Sequence, residues 1–237
     1  MSGLKILALE SSAVSAGAAV SVDGKIVAEN FVNAGLTHSQ TLLPMVDACL
    51  KTANTTVDDL DAVAIANGPG SFTGIRIGVA AVKGICFGGK KCIGISTLEA
   101  MAYNLFGADC IALCVMDARC SQVYTAMFDC GEKITRLCED KAVMIADLPG
   151  MIENAKKDIK KDVIILGDGA ELCYNYLKTV CNGVSLAPVN VRYQRAAGVA
   201  LAAEYVGELI EADALKPVYL RVPQAERELK KKRSENQ

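Results

Sequence analysis

A glycine-rich run at residues 67–78 has the residue types of a ligand-binding loop. It reads Asn-Gly-Pro-Gly-Ser-Phe-Thr-Gly-Ile-Arg-Ile-Gly and follows an apolar segment, Ala62–Ala66. Ser71 or Thr73 can cap the helix that the next apolar spacing predicts, and free N–H groups at a helix start attract anions. Three glycines allow sharp turns and close approach of another group: Gly68, Gly70 and Gly74. The pattern fits a phosphate cradle and a tight strand-to-helix turn equally well.

Neither of the two common nucleotide-binding loops is present in this run. A Walker loop ends in Gly-Lys-Ser or Gly-Lys-Thr, and a dinucleotide-binding loop is followed by an acidic residue about 20 positions later. The run has neither feature. A phosphate site at this position would therefore belong to another class of protein.

Two carboxylates end apolar runs in the two halves of the chain, Ile6–Glu10 and Leu113–Asp117. Each run is followed by a polar turn, a strand pattern, a glycine-containing turn and a further strand pattern. This similarity predicts an internal duplication near residue 108, although two unrelated β-meanders would also align. Ligands gather at the carboxyl ends of strands. We therefore expect a cleft that contains the glycine-rich loop together with Glu10, Ser11, Asp117 and Arg119.

The elements that would position these residues follow the order β-β-β-α-β-α twice. The first unit has strands at Leu4–Leu9, Gly17–Val22, Lys25–Val32, Ala62–Ala66 and Lys91–Ile95, and helices at Ser39–Ala53, Thr73–Phe87 and Thr97–Leu105. The second unit has strands at Ile111–Met116, Gln122–Phe128, Lys133–Ile145 and Val163–Leu166, and helices at Leu148–Lys157, Ala170–Cys181 and Ala196–Leu209. This is the plan of the α/β actin-like ATPase fold (ASKHA, RNase H-like), in which a nucleotide cleft separates two lobes. We expect lobes at residues 1–107 and 108–223, and a charged C-terminal tail at 224–237.

Composition places the chain among globular proteins and excludes several functions. Of 237 residues, 51% are apolar and the formal net charge is −2, so the surface lacks the basic excess of a bulk nucleic-acid binder. Ten cysteines include no Cys-x-x-Cys pair, which predicts small buried thiols in a reducing compartment. No run reaches the roughly 18 apolar residues of a membrane span, and polar residues interrupt the N-terminal apolar stretch, unlike in a signal peptide. We expect a soluble, cytoplasmic protein.

The predicted helix Thr73–Phe87 has two distinct faces. One is an apolar, core-facing stripe of Ile75, Val79, Val82 and Cys86. Glycine inside a helix costs up to about 1 kcal/mol relative to alanine, so a face that keeps glycine predicts close approach of another backbone. That backbone belongs either to the protein's own sheet or to a helix of another subunit. The small residues of the second face are Gly74, Gly78, Ala81 and Gly84.

Five segments together resemble the bacterial TsaB family, also called YeaZ. They are Ile6–Ser12, His38–Met45, Asn67–Gly78, Met116–Arg119 with Val123 and Tyr124, and Pro217–Arg221. The segments occur in order over residues 4–221 and so cover nearly the whole chain. The Gly-Pro-Gly-Ser-Phe-Thr-Gly-Ile-Arg run is specific to this family and its paralogue TsaD.

The resemblance implies a role in forming the threonylcarbamoyl group on N6 of adenosine 37, in tRNAs that read codons starting with A. In that pathway TsaD is the transferase, TsaB is its partner, and TsaE is an ATPase that binds the pair. It implies tRNA contact through the complex, no intrinsic cofactor but ATP or ADP with Mg²⁺ at the junction with the partner, and a homodimer when the chain is alone. A contact between paired helices would use His38, Leu42, Met45, Arg76, Gly78, Ala81, Lys83 and Gly84.

The residues favour a partner subunit that is not catalytic alone. The single histidine, His38, starts a predicted helix, and a metal site needs several convergent ligands, so we expect no metal and no metallopeptidase activity. The first-strand turn reads Glu-Ser-Ser-Ala and departs from the Asp-x-Gly-x-Thr pattern of actin-like ATPases. The alternative is an actin-like small-molecule kinase or acyltransferase with its own ATP site. The charged run Lys230–Arg233 is typical of a solvated chain end, with tRNA contact as its alternative.

Overall fold

Two β-sheets organise the computed structural model, which describes residues 4–221. The strands are β1 (Lys5–Glu10), β2 (Ala16–Val22), β3 (Lys25–Val32), β4 (Ala62–Gly68), β5 (Lys91–Ser96), β6 (Cys110–Asp117), β7 (Gln122–Cys130), β8 (Ile134–Arg136), β9 (Lys141–Met144), β10 (Val163–Leu166) and β11 (Val184–Leu186). The helices are α1 (His38–Thr52), α2 (Phe72–Ile85), α3 (Thr97–Ala102), α4 (Leu148–Lys156), α5 (Ala170–Val180) and α6 (Ala196–Val206).

The two sheets repeat one topology. The first has the order β3-β2-β1-β4-β5, and the second has the equivalent order β8-β7-β6-β10-β11, with β9 added beside β7. In the first sheet β1, β4 and β5 run parallel, and in the second β6, β10 and β11 do. The hairpin strand next to each parallel set is antiparallel to it. The predicted actin-like fold with two duplicated lobes is confirmed.

Both faces of each sheet are covered by helices. In β1, Leu7 and Leu9 pack towards α1 and α2, whereas Ile6 and Ala8 pack towards α6. The second sheet lies between α3 on one face and α4 and α5 on the other. Burial on two faces explains why the central strands are continuous apolar runs rather than alternating ones.

Helices α3 and α6 each pack on the sheet of the other half of the chain. A salt bridge with an arginine holds each of these two contacts, which we call the crossings. Helix α6 packs on the first sheet, and Arg195, just before its first residue, forms a salt bridge with Glu29 of β3. Helix α3 packs on the second sheet, and its Glu99 forms a salt bridge with Arg136 of β8. Equivalent contacts therefore tie the two lobes together.

The predicted elements differ from the observed ones mainly at the edge of the second sheet. The stretch predicted as one strand, Lys133–Ile145, is two short strands, β8 and β9, separated by residues 137–140. Strand β11 has no counterpart in the prediction, because its three residues form no apolar run. Helix α6 ends at Val206 rather than Leu209, since Gly207 is extended.

Residues 207–221 form a C-terminal strap that returns to the first lobe. Ile210 pairs with β5, and Leu215 is 1% exposed within the core beside α2. Val218 N–H donates to Asn67 O near the end of β4 over 2.7 Å, and Arg221 donates to the carbonyl of Ala118 in the second lobe. The division expected at residue 108 separates the two sheets, but α6 and the strap lie on the first lobe.

The charged tail expected at residues 224–237 lies outside the described residues, and its contact with tRNA stays a prediction. Between residues 4 and 221, no helix combines the length and apolarity needed to cross a membrane. The cytoplasmic location also stays a prediction.

Candidate interlobe site

A cleft of about 400 Å³ opens between the two lobes. Its walls come from the turn after β1, the glycine-rich loop before α2, the turns after β6 and β10, and the end of the strap. The lining residues are Ser12, Ala13, Val14, Gly70, Ser71, Phe72, Met116, Asp117, Ala118, Arg119, Tyr124, Asp168, Tyr219, Leu220 and Arg221. Four residues predicted for the cleft therefore line it: Gly70, Ser71, Asp117 and Arg119.

The glycine-rich loop is a tight turn that is held against the turn after β1. Ser71 N–H donates to Ser12 O over 2.6 Å, and Ser71 Oγ caps α2 by accepting Gly74 N–H over 3.3 Å. A Cβ on Gly70 would lie 2.9 Å from the Cβ of Ser12, so a larger residue would force the two turns apart. Because Ser71 N–H already has a backbone acceptor, the geometry favours the tight turn over the phosphate cradle.

Glu10 lies beneath the cleft and not among its lining residues, so the expectation that it lines the cleft is wrong. Its side chain is 1% exposed, Oε1 accepts Ser12 N–H over 2.6 Å, and Oε2 has no hydrogen-bond partner among the described residues. Burial raises the pKa of this carboxyl from 4.5 to about 7, and the hydrogen bonds from Ser12 offset only part of that rise. The buried position therefore favours the uncharged form of Glu10.

The second lobe contributes the carboxylates that do reach the cleft. Asp117 Oδ1 accepts Arg119 N–H over 2.7 Å, and Asp168 Oδ1 accepts a hydrogen from Gln194 Nε2 over 2.8 Å. Burial raises the pKa of Asp168, although the hydrogen bond from Gln194 opposes the change. Arg119 and Arg221 line the same space. The cleft thus offers two carboxyl groups and two guanidinium groups to a polar ligand.

An aromatic stack forms one rim of the cleft. The Phe72 and Tyr219 rings are stacked with their centroids 4.3 Å apart, and the Arg76 guanidinium carbon lies 3.9 Å from the Phe72 centroid. Arg76 Nε also donates to the Tyr219 hydroxyl over 3.1 Å. Arg76, predicted as a partner-interface residue, is exposed but already fixes the strap to the start of α2.

The other residues predicted for the cleft lie outside its lining, and most of them hold neighbouring segments together. Ser11 Oγ donates to Gly74 O over 2.9 Å, and this bond holds the turn after β1 on α2. Gly68 is packed against the backbone of Val218 in the strap. Thr73 is exposed in the first turn of α2, outside the cleft lining.

The small-residue face of α2 is directed inward over its first half. A Cβ on Gly78 would lie 2.8 Å from Ile65 Cδ1 and also against Ser11 Oγ, and a Cβ on Gly74 would meet the Ser11 backbone. The prediction that Gly78 faces a partner is wrong, because this glycine allows α2 to approach its own sheet. Only Gly84 of these glycines is open, with no atom within 4 Å of an added Cβ.

Two more residues predicted for the interface belong to the core. Leu42 is 1% exposed and Met45 is 5% exposed, because the apolar spacing of α1 places both against the first sheet. His38 is the first residue of α1, and its Nε2 lies 2.7 Å from a carbonyl oxygen of the turn after β1. Ala81 and Lys83 are half-buried, and Lys83 Nζ donates to a strap carbonyl over 3.4 Å.

Sequence reasoning missed Asp168, Tyr219 and Arg221 as cleft residues. Asp168 lies in the turn after β10. The duplication could have indicated this residue, because β10 is equivalent to β4 and the turn after β10 is therefore equivalent to the glycine-rich loop after β4. Tyr219 is 143 residues from Arg76, and Arg221 is 103 residues from its acceptor. No local periodicity indicates contacts of that range, although both residues lie in a segment that carries the family resemblance.

No set of three or more His, Cys, Asp or Glu side chains in residues 4–221 is grouped so as to hold a metal ion. The expected absence of an intrinsic metal or cofactor stays a prediction. Asp117 and Asp168 are the carboxylates that a hydrated cation would meet in the cleft, and Arg119 and Arg221 are the cations that a phosphate would meet.

The repeated sheet order and the cleft between the lobes define a protein of the actin-like ATPase fold. A Pseudomonas aeruginosa protein described as similar to peptidase YeaZ superposes with a TM-score of 0.76 at 25% identity, over 92% of this chain and 100% of that one. The family model of TsaD, tRNA N6-adenosine threonylcarbamoyltransferase, matches residues 32–227.

Two proteins named tRNA threonylcarbamoyladenosine biosynthesis protein TsaB are similar in sequence. The Escherichia coli protein is 33% identical over 70% of this chain and 72% of its own length. The Bacillus subtilis protein is 27% identical over 94% of this chain and 96% of its own length. The chain belongs to the TsaB family.

Proposed function

We propose that this protein is a non-catalytic partner subunit of a TsaD-like enzyme in tRNA threonylcarbamoyladenosine biosynthesis. The complex would form N6-threonylcarbamoyladenosine at position 37 of tRNAs that read codons starting with A. The names of the TsaB relatives support the pathway, and the match to the TsaD family model supports pairing with a paralogue of the same fold.

The position of Glu10 carries the non-catalytic part of the proposal. A catalytic acid must reach the reacting atoms, or a water or ion bound to them. Glu10 is sealed beneath the turn after β1, and the Ser71 N–H that could bind a phosphate bonds Ser12 O instead. The first lobe thus contributes neither an acid nor this amide donor to the cleft.

We further propose that the partner binds the outer face of α1 and α2. The two helices contact each other, and their exposed residues include Leu43 and Pro44 of α1 and Arg76, Ala80 and Gly84 of α2. Leu43 is 54% exposed, and Ala80 and Gly84 are small enough to admit a partner helix. This surface replaces the one predicted through Leu42, Met45 and Gly78, which are buried.

Two matched glycine variants test this interface. Gly84 on the outer face and Gly150 in α4 of the second lobe are both helical and exposed, and neither has an atom within 4 Å of an added Cβ. Gly84→Arg should weaken binding to the purified TsaD-like partner at least about tenfold and reduce tRNA modification in the reconstituted reaction. Gly150→Arg should change neither. Wild-type affinity in a folded Gly84→Arg variant would contradict the interface.

The remaining members of the assembly follow from the same pairing. A TsaE-like ATPase would bind the pair, tRNA would be held by the complex, and ATP or ADP with Mg²⁺ would lie at the junction with the partner. The isolated chain would form a homodimer through the outer face. Size-exclusion chromatography would then show the homodimer replaced by a heterodimer when the TsaD-like protein is added. Full tRNA modification in the absence of this protein would contradict the proposed function.

The alternative is an actin-like small-molecule kinase or acyltransferase with its own ATP site. Four charged residues that line the cleft support this alternative, because they could meet a hydrated cation and a phosphate: Asp117, Asp168, Arg119 and Arg221. Calorimetric titration of the isolated chain with ATP and Mg²⁺ separates the two functions. A partner subunit should bind weakly or only within the complex, whereas a kinase should bind in the micromolar range alone.

A further inference from the structure

Two thiols lie opposite each other at one end of the second sheet, away from the cleft. Cys110 is the first residue of β6 and Cys130 is the last residue of β7. The two residues are direct partners in the antiparallel register of these strands. They are 3% and 0% exposed, and both belong to the core beneath α3.

The pairing geometry is compatible with a disulfide bond. Directly opposed residues in an antiparallel pair have Cα atoms about 4.5–5.5 Å apart. Disulfide bonds join Cα atoms about 4.4–6.8 Å apart. The side chains of opposed residues also point to the same face of the sheet, so both thiols lie on the side of the sheet that is covered by α3.

We propose that Cys110 and Cys130 are a modification site at which a peroxide forms a reversible disulfide bond between β6 and β7.

The environment assigns different roles to the two thiols. The adjacent Cys130 side chain and the Lys161 ammonium lower the pKa of Cys110 although burial opposes them, whereas the adjacent Cys110 side chain and burial raise the pKa of Cys130. Asp109 and Asp129 oppose the lowering, but both are paired with Lys161, at 2.8 and 2.7 Å. Cys110 is therefore the attacking thiolate, because the thiolate is the reactive form.

The reaction balances with hydrogen peroxide as the oxidant. The Cys110 thiolate attacks one peroxide oxygen, the O–O bond breaks, and hydroxide leaves with a proton as water, so that Cys110 becomes a sulfenic acid. Cys130 then loses its proton and attacks the Cys110 sulfur, the S–O bond breaks, and a second water leaves. Two thiols are oxidised to one disulfide and one peroxide is reduced to two waters. A dithiol such as dithiothreitol reverses the change.

The experiment uses the full chain with Cys120→Ser, because Cys120 is exposed and would otherwise link two chains. After peroxide treatment and alkylation of the remaining thiols under denaturing conditions, mass spectrometry should detect a chain that carries seven alkyl groups, whereas the reduced chain carries nine. Peptide mapping should join Cys110 to Cys130, and dithiothreitol should restore the reduced mass. The disulfide closes a loop of about 20 residues, so the oxidised chain should also unfold several degrees higher.

Two variants test whether the disulfide bond is specific to Cys110 and Cys130 or whether peroxide oxidises buried thiols in general. Cys130→Ala should abolish the disulfide bond. Cys173→Ala, which removes a fully buried thiol elsewhere in the second lobe, should leave the disulfide yield unchanged. The proposal is overturned if Cys110 and Cys130 both stay free at peroxide doses that oxidise Cys120 in the unmodified protein. It is also overturned if the bond maps to any other pair. If Cys130→Ala does not fold, peptide mapping of the Cys120→Ser chain decides alone.

Discussion

The ends of β1 and β6 are equivalent positions in the two lobes, yet their acids have opposite environments. Glu10 accepts the N–H of Ser12 over 2.6 Å, and Asp117 accepts the N–H of Arg119 over 2.7 Å, so each acid bonds the residue two positions later. Glu10 is nevertheless 1% exposed beneath the cleft, whereas the side chain of Asp117 is 33% exposed and lines it.

Helix α2 causes the difference between the two strand ends. Its glycines at 74 and 78 allow the helix to lie against Ser11, and the bond from Ser11 Oγ to Gly74 O fixes that contact. In the second lobe the turn after β6 faces the open cleft instead. One repeated plan thus yields a half in which the acid is sealed and a half in which the acid lines the cleft.

The largest effect should come from removing the charge on Glu10. Its pKa of about 7 lies above the ordinary 4.5, so the stability linked to its proton is complete below about pH 4.5 and is lost as pH rises through 7. Glu10→Gln is neutral at every pH and keeps an oxygen for Ser12 N–H. The stability of Glu10→Gln relative to the unmodified protein should therefore rise by about 3 kcal/mol between pH 4 and pH 8. Urea unfolding at several pH values measures this, and parallel curves for the two proteins would contradict it.

The crossing arginines should have the next largest effect, and an equal one in the two lobes. Arg136 bonds Glu99 and Asp140, and Arg195 bonds Glu29. Either arginine changed to alanine leaves a mostly buried carboxylate without its cation, at a cost of about 2 kcal/mol after allowance for partial exposure.

Denaturant unfolding of the two arginine variants tests the equivalence of the crossings. Lys51→Ala is the control, because its salt bridge with Asp47 is exposed and should contribute less than about 0.5 kcal/mol. A clear loss of stability in only one of the two arginine variants would show that the crossings are not equivalent.

Two glycines of α2 should respond oppositely to the same substitution. Gly78→Ala places a methyl group 2.8 Å from Ile65 Cδ1 and should destabilise the protein by about 1–2 kcal/mol, since crowding outweighs the gain in helix propensity. Gly84→Ala meets no atom within 4 Å and should stabilise by up to about 1 kcal/mol. The midpoints of urea unfolding give both values. A stabilising Gly78→Ala would mean that α2 can move away from its sheet without cost.

Local patterns predicted the elements and the duplication because apolar runs, turn residues and helix spacing act over a few residues. The same patterns predicted the buried apolar stripe of α2 but could not decide which of its glycines face the sheet, since glycine at 74, 78 and 84 looks alike along the sequence. They also did not predict that Glu10 would be sealed or that Tyr219 would stack on Phe72. Those outcomes depend on contacts between segments far apart in the chain, which pack only after both lobes and the strap have assembled.

The smallest effect should come from Asp117→Asn, the counterpart of Glu10→Gln in the open lobe. An asparagine oxygen can still accept Arg119 N–H, and water solvates a partly exposed side chain in either charge state, so stability should change by less than about 0.5 kcal/mol. The same urea series measures both variants. A change in stability for Asp117→Asn as large as that for Glu10→Gln would mean that the two strand ends share one environment, and that the lobes differ in something other than the packing of α2.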